Sequence, residues 1–154
     1  AGRDFRPEQT SLVEPLPGGL PPGYRIAGTE RCRECHEQEC RTWDDSSHAR
    51  AWASLEKKGA HVDPDCQRCH TTGYGLPGGF QSVRRSAERM GVGCESCHGP
   101  SAAHVADGKV HTAFFAQAKD HCTGCHDREN SPEFEYEGYW EKIRHGEKEL
   151  QIAD

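Results

Sequence analysis

Aliphatic side chains are scarce in this chain. Leu, Ile, Val and Phe together supply 20 of 154 residues, and Met occurs once. That share lies below the roughly 20% under which a charged chain is expected to be disordered. The mean hydropathy is -0.92 and the apolar fraction 33%. Side chains alone would bury too little surface to offset the entropy of ordering. No run of 18 apolar residues exists, which excludes a transmembrane helix. No cysteine opens the chain as a lipid anchor would. No signal peptide precedes Ala1-Gly2, a start that suits an exported product cut after a small residue. No stretch alternates polar and apolar residues for the length of a strand. The length suits one domain. Either that domain is disordered, or something other than protein supplies its core.

The cysteines favour the second outcome. Of nine, eight fall in four identical units: Cys32-Arg-Glu-Cys35-His36, Cys66-Gln-Arg-Cys69-His70, Cys94-Glu-Ser-Cys97-His98 and Cys122-Thr-Gly-Cys125-His126. C-x-x-C-H is the attachment pattern of c-type haem. Thiols three residues apart share one side of a helical turn and add to the two vinyl groups of the porphyrin. The adjacent His then reaches the iron. Competing uses of C-x-x-C fit less well. Zinc takes four ligands, would pair the motifs, and gives no reason for a His after each. A redox dithiol would occur once. Ten His placed at random would follow all four motifs about 2 times in 100,000. The predicted cofactor is four haem c groups with their iron. Cys32, Cys35, Cys66, Cys69, Cys94, Cys97, Cys122 and Cys125 would attach them, and His36, His70, His98 and His126 would be the proximal ligands.

Thioether attachment happens outside the cytoplasm, so a periplasmic or extracellular location is expected. The formal charge is -6, and ionised propionates would take the loaded protein to roughly -10 oxidised and -14 reduced. Such a charge argues against nucleic acid or anionic membrane as partner. It suits redox partner proteins that present a basic patch. Arg31, Arg33, Arg68, Arg84 and Arg85 are candidates to pair with propionates.

Three segments are expected. Residues 1–29 form an extended leader rich in Pro and Gly. Residues 30–146 carry the four motifs, and 147–154 are a tail. Within the middle segment a helix is predicted from Glu34 to Asp44. A second, capped by Ser46 or Ser47, runs to about Lys58 with Gly59 as its stop. Thr71 to Phe80 reads as a loop whose glycines let backbone lie close to a flat ligand. Shorter helices are expected over 101–107, Thr112 to Asp120 and Glu135 to His145. The fold class is therefore mainly α: a small, irregular helix-and-loop fold wrapped round four covalently bound c-type haems.

First cysteines are separated by 34, 28 and 28 residues. Groups this dense must touch, and edge contact is what electron tunnelling needs. Six further His are candidate distal ligands: His48, His61, His104, His111, His121 and His145. His104 follows His98 by six residues, too short a link to reach the far face of the same porphyrin, so it should serve another haem. Each haem then cross-links distant segments. Cys40 lies one helical turn after His36 and reads as a small buried residue against the first haem. Trp43, Trp52, Trp140, Tyr136 and Tyr139 are expected on porphyrin edges.

Three longer stretches go beyond the motif itself. Gly91 to Pro100 (GVGCESCHGP), Ser46 to Leu55 (SxHARAWxSL) and Cys69 to Phe80 (CHTTGYGLPGGF) resemble the cytochrome c-554 family over about residues 28–145. The resemblance implies a mainly α fold with haems in stacked and angled pairs, and electron transfer as the activity. It implies that His104 ligates haem 1 (His36), His48 haem 3 (His98) and His145 haem 4 (His126), with haem 2 (His70) five-coordinate. This chain departs from the pattern in two ways. It lacks the long lysine-rich insertions between haems 3 and 4. It also offers His61, His111 and His121 as sixth ligands to haem 2.

The leading functional reading is an electron carrier with mostly bis-His haems, not an enzyme. Two others stay open: a subunit of a polymeric extracellular cytochrome filament, and a haem enzyme acting on a small nitrogen or sulfur oxide at an open haem 2. Self-association or a neighbouring haem protein could also complete the ligation.

Overall fold

The computed structural model describes residues 19–146. Most of the expected leader and the whole expected tail lie outside the described residues. Seven short α-helices follow one another among the described residues: α1 Thr29–Cys32, α2 Glu37–Asp45, α3 Ala51–Lys58, α4 Pro64–His70, α5 Glu95–His98, α6 Ala102–Ala106 and α7 Tyr136–Trp140. Two 3-10 helices, Ala87–Arg89 and Ala118–Gly124, complete the set. The only extended pairing among the described residues is an isolated bridge between Thr71 and Met90. The protein is thus mainly helix and loop, as its sequence implies.

Local chemistry sets the helix ends. Asp63 caps α4 by accepting the Asp65 N–H at 2.9 Å, and Pro64 takes the first turn, where no N–H is needed. Lys57 and Lys58 complement the C-terminal dipole of α3, which stops at Gly59 with φ 68°. The expected first helix is two pieces, because the chain leaves helical geometry at His36 (φ -116°, ψ 50°). Neither Ser46 nor Ser47 caps α3. The Ser46 hydroxyl donates back to Trp43 O at 2.6 Å, and residues 47–50 form a turn, so the helix starts at Ala51. The last predicted helix is shorter than expected. It ends at Trp140, and the chain then turns through Ile143 and Arg144, whose N–H groups both reach Trp140 O. The predicted helix from Thr112 is also cut back: the helical turn there begins at Ala118 and is 3-10.

The polypeptide core is small. Among the described residues Ile26, Cys40, Trp52, Leu55 and Phe80 are the buried apolar side chains, and Trp52, Leu55 and Phe80 form its one cluster. Burial of such a side chain contributes about 1.5–3 kcal/mol. Fixing the backbone of a single residue costs about 1–2 kcal/mol. Five side chains cannot order a chain of this length. Much of the remaining burial is polar: Thr71, Thr72, Ser82, Ser86, Arg89, Glu95 and Ser101.

Residues 24–28 lie across the helical body. Ile26 N–H donates to Pro77 O at 2.8 Å, and Arg25 O accepts from Ala102 N at 3.0 Å. Gly28 has φ 102°, and a Cβ there would strike the Arg89 guanidinium and the Glu30 carboxylate. α1 packs on α2, α3 on α4, and α5 on the 3-10 helix at 118–124, the last of which brings the third and fourth motifs together.

Phe80 is fully buried and Phe115 is 64% exposed. Phe80→Ala is expected to cost about 3–5 kcal/mol, and Phe115→Ala within about 0.5 kcal/mol of nothing. Denaturant unfolding of the two purified variants checks the contrast.

Candidate haem-binding site

All four C-x-x-C-H units wind alike. The second lies within α4. In the other three, the His N–H donates to the carbonyl of the first Cys at 2.9–3.0 Å, and the second Cys N–H to the same carbonyl at 3.2 Å. This is one helical turn, with both sulfurs and the imidazole on one side.

The sulfurs also pair the motifs. Cys32 shares a hydrogen bond with Cys94, so the first and third motifs abut. Donation from Cys32 pulls the Cys94 thiol down to about 6, while Cys32 is driven far up by that bond and by burial. Buried Cys40 lies against the same pair, and burial pushes its thiol up to about 11. Burial, followed by Cys69, lifts Cys125 to about 12, which places the second motif beside the fourth. Burial, followed by Cys122, lifts Cys97 to about 11, which places the third beside the fourth. All nine thiols are free. No three His, Cys, Asp or Glu side chains converge on a metal-ion site among the described residues, whereas zinc takes four ligands.

Three imidazole pairs stand at one spacing. Ring centroids are 6.1 Å apart for His36 and His104, 6.1 Å for His48 and His126, and 5.9 Å for His98 and His145. Two metal–nitrogen bonds of about 2.0–2.1 Å, each extended by the distance from ring nitrogen to ring centre, add to about 6 Å. The pairs therefore fit a single iron held between two imidazoles. The partners differ from those that the family resemblance implies. His48 lies beside His126 and His145 beside His98, the reverse assignment. The segment after the fourth motif explains the exchange. Phe134 stacks on His126 at 4.7 Å and Tyr139 meets its edge at 5.4 Å, so the chain's own next residues occupy the neighbourhood of that ring. The turn after Trp140 then carries His145 on to His98.

Several of these rings are oriented through Nδ1. His70 donates to Ala51 O at 2.8 Å, His104 to Val110 O at 2.7 Å and His145 to Ile143 O at 2.8 Å, while His126 Nδ1 lies 2.8 Å from Ser131 Oγ. A carbonyl partner fixes the proton on Nδ1 and leaves Nε2 as the free lone pair, the arrangement of a ligating histidine. Burial holds His48, His98 and His126 below the usual imidazole range. His126 adds to the effect at His48, and His145 and His36 add to it at His98. The neutral form is the one that binds metal.

The other candidate ligands are placed differently. His111 stacks on exposed Phe115 at 4.1 Å, and His121 on Phe114 at 4.0 Å. His61 meets the Trp52 ring edge-on at 6.2 Å, and its Nδ1 is buried without a partner. None of the three is in ring contact with His70. Among the arginines, Arg33 is held bidentately by Asp44 at 2.8 and 2.9 Å, and Arg31 pairs with Glu34 at 2.7 Å. Arg68 reaches Asp65 only at 3.8 Å. Arg31 and Arg85 line an open cleft of about 670 Å³ with Arg25. Trp43 donates its indole N–H to Val92 O at 2.7 Å, and Tyr136 stacks on Trp140.

Sequence reasoning missed the residues that clamp the third motif. Glu95, inside that motif, accepts N–H bonds from Ala27, Gly28 and Ser101 at 2.7–2.8 Å. Thr72 accepts from Gly93 N at 2.8 Å and donates to Gly91 O at 2.9 Å. Nothing in the spacing marks either residue as buried. Ser131 was equally silent.

Winding of the motifs and the paired imidazoles define a c-type cytochrome. Residues 31–99 match the family model described as cytochrome c554 and c-prime. Cytochrome c-554 of Nitrosomonas europaea is 38% identical over 88 residues, covering 47% of this chain and 37% of that protein. No solved structure matches. The matched segment holds the first three motifs, and over it the chain is similar to the cytochrome c-554 family, a likeness that implies covalently bound haem c. It spans little more than a third of that relative's length.

Thr72→Val keeps the side-chain volume but orphans two buried main-chain groups. It should cost about 1–3 kcal/mol for each, read by denaturant unfolding of the haem-loaded protein.

Proposed function

We propose that the chain is a multihaem electron carrier with four haem c groups, three of them ligated by the pairs His36–His104, His48–His126 and His98–His145. The common spacing of those pairs, near 6 Å, carries the reading. Haem supplies a reversible one-electron couple. The protein's residues attach it, orient its ligands and set its surroundings. Carbonyl partners at His104 and His145 would leave their Nε2 free to ligate iron. The cysteines would attach each porphyrin, and their mutual contacts would bring neighbouring haems close. Thiol contacts link the motifs in the order first, third, fourth, second, which supports an electron path through the haems in that order. A carrier of this kind works outside the cytoplasm against redox partner proteins. No helix among the described residues is long and apolar enough to cross a membrane.

The ligand pairing has a direct test. In a variant without the fourth haem (Cys122→Ser with Cys125→Ser), adding His48→Ala should create no further high-spin ferric signal in electron paramagnetic resonance. A new high-spin signal would assign His48 to the third haem instead.

A second reading rests on His70. It is oriented for ligation by Ala51 O, yet no other imidazole is in ring contact with it, while His111 and His121 are stacked on phenylalanines. An open second haem would bind carbon monoxide when reduced and give one high-spin ferric signal in the wild type. Four low-spin ferric signals and no carbon monoxide adduct would remove this reading.

A further inference from the structure

We propose that Glu95 is a buried negative charge that holds the haems of the first and third motifs at low reduction potential. The inference rests on the multihaem reading above. Glu95 is 3% exposed, and both its carboxylate oxygens are used. One accepts from Ala27 N at 2.8 Å and Ser101 N at 2.8 Å, the other from Gly28 N at 2.7 Å. Three N–H donors suit an ionised carboxylate, which only accepts. They bring dipoles but no compensating charge.

The nearest basic group tied to the same backbone is Arg89. Its Nη2 donates to Ala27 O at 3.2 Å, but its Nη1 pairs with Glu30 at 2.8 Å, so its charge is already matched. Position makes the uncompensated charge matter. Glu95 follows Cys94 directly. Gly28, which donates to Glu95, accepts the Cys32 thiol through its carbonyl at 3.5 Å. Cys94 N reaches Thr29 Oγ1 at 3.4 Å. One carboxylate thus sits where the attachment sites of two motifs cross. Reduction adds an electron to each haem, and a buried anion opposes that addition more strongly than a solvated one. Two of these three bonds tie residues 27 and 28 to the third motif, so the residue also positions the two motifs.

Spectroelectrochemical titration of the haem-loaded protein separates charge from positioning. Glu95→Gln should keep the haem content and the wild-type visible spectrum. Two reduction steps should rise by at least tenfold in equilibrium constant, about 59 mV each for a one-electron couple. Glu95→Asp, which keeps the charge, should shift them far less. Unmoved steps in the Gln variant, or an Asp shift as large as the Gln shift, overturn the proposal. Should the Gln variant fail to take up haem, Glu30→Gln provides the second arm. It leaves Arg89 unpaired beside the backbone that Glu95 holds and must raise the same two steps; no rise overturns the proposal. A wild-type protein without haem would instead remove the multihaem reading itself.

Discussion

On the proposed reading, the structure depends on imidazole pairs that join segments far apart in the chain. On the proposed ligation, iron ties residue 36 to 104, residue 48 to 126 and residue 98 to 145. Each tie does what a buried aliphatic cluster does elsewhere: it removes the freedom of a long loop and brings flat apolar surface with it. The composition makes sense in this light. A chain whose described residues hold one small cluster, around Trp52, Leu55 and Phe80, needs something other than that cluster to order it. Short helices, most of them one or two turns long, follow from the same constraint. They frame ligands and need not pack long faces against each other.

The motifs do more than attach a cofactor. Their sulfurs lie against one another, so the positions of the four units are coupled: first with third, third with fourth, fourth with second. Glu95 and Thr72 are the polar fastenings of the third unit, which makes two of these three contacts. A buried carboxylate there carries two consequences at once. It orders the backbone of residues 27 and 28, and it places a charge where electrons would pass.

The helical turn at each of the four C-x-x-C-H units was legible in the sequence, because covalent attachment of a cofactor requires fixed residue types at a spacing that one turn of helix supplies. The mainly helical character was legible from the lack of alternation. Helix lengths were less so. The break at His36 and the early stop at Trp140 arise where a residue is drawn to a tertiary partner, and local propensity does not report such partners. Resemblance to the family implied that His48, His104 and His145 pair with motif histidines, but not the observed neighbours of His48 and His145. Those depend on how Phe134 and Tyr139 pack on His126. Glu95 was invisible for a similar reason: a glutamate between two cysteines reads as solvated until the chain from Ala27 to Gly28 is seen crossing over it.

The central claim is that porphyrin, not aliphatic side chain, is the material around which this chain condenses. The most direct measurement compares the haem-loaded protein with the same chain made without haem, by circular dichroism through a denaturant titration. The account predicts a cooperative transition for the loaded protein and none for the haem-free chain, whose spectrum should already be that of an unfolded polypeptide. A haem-free chain that shows the same helix content and unfolds cooperatively would contradict it.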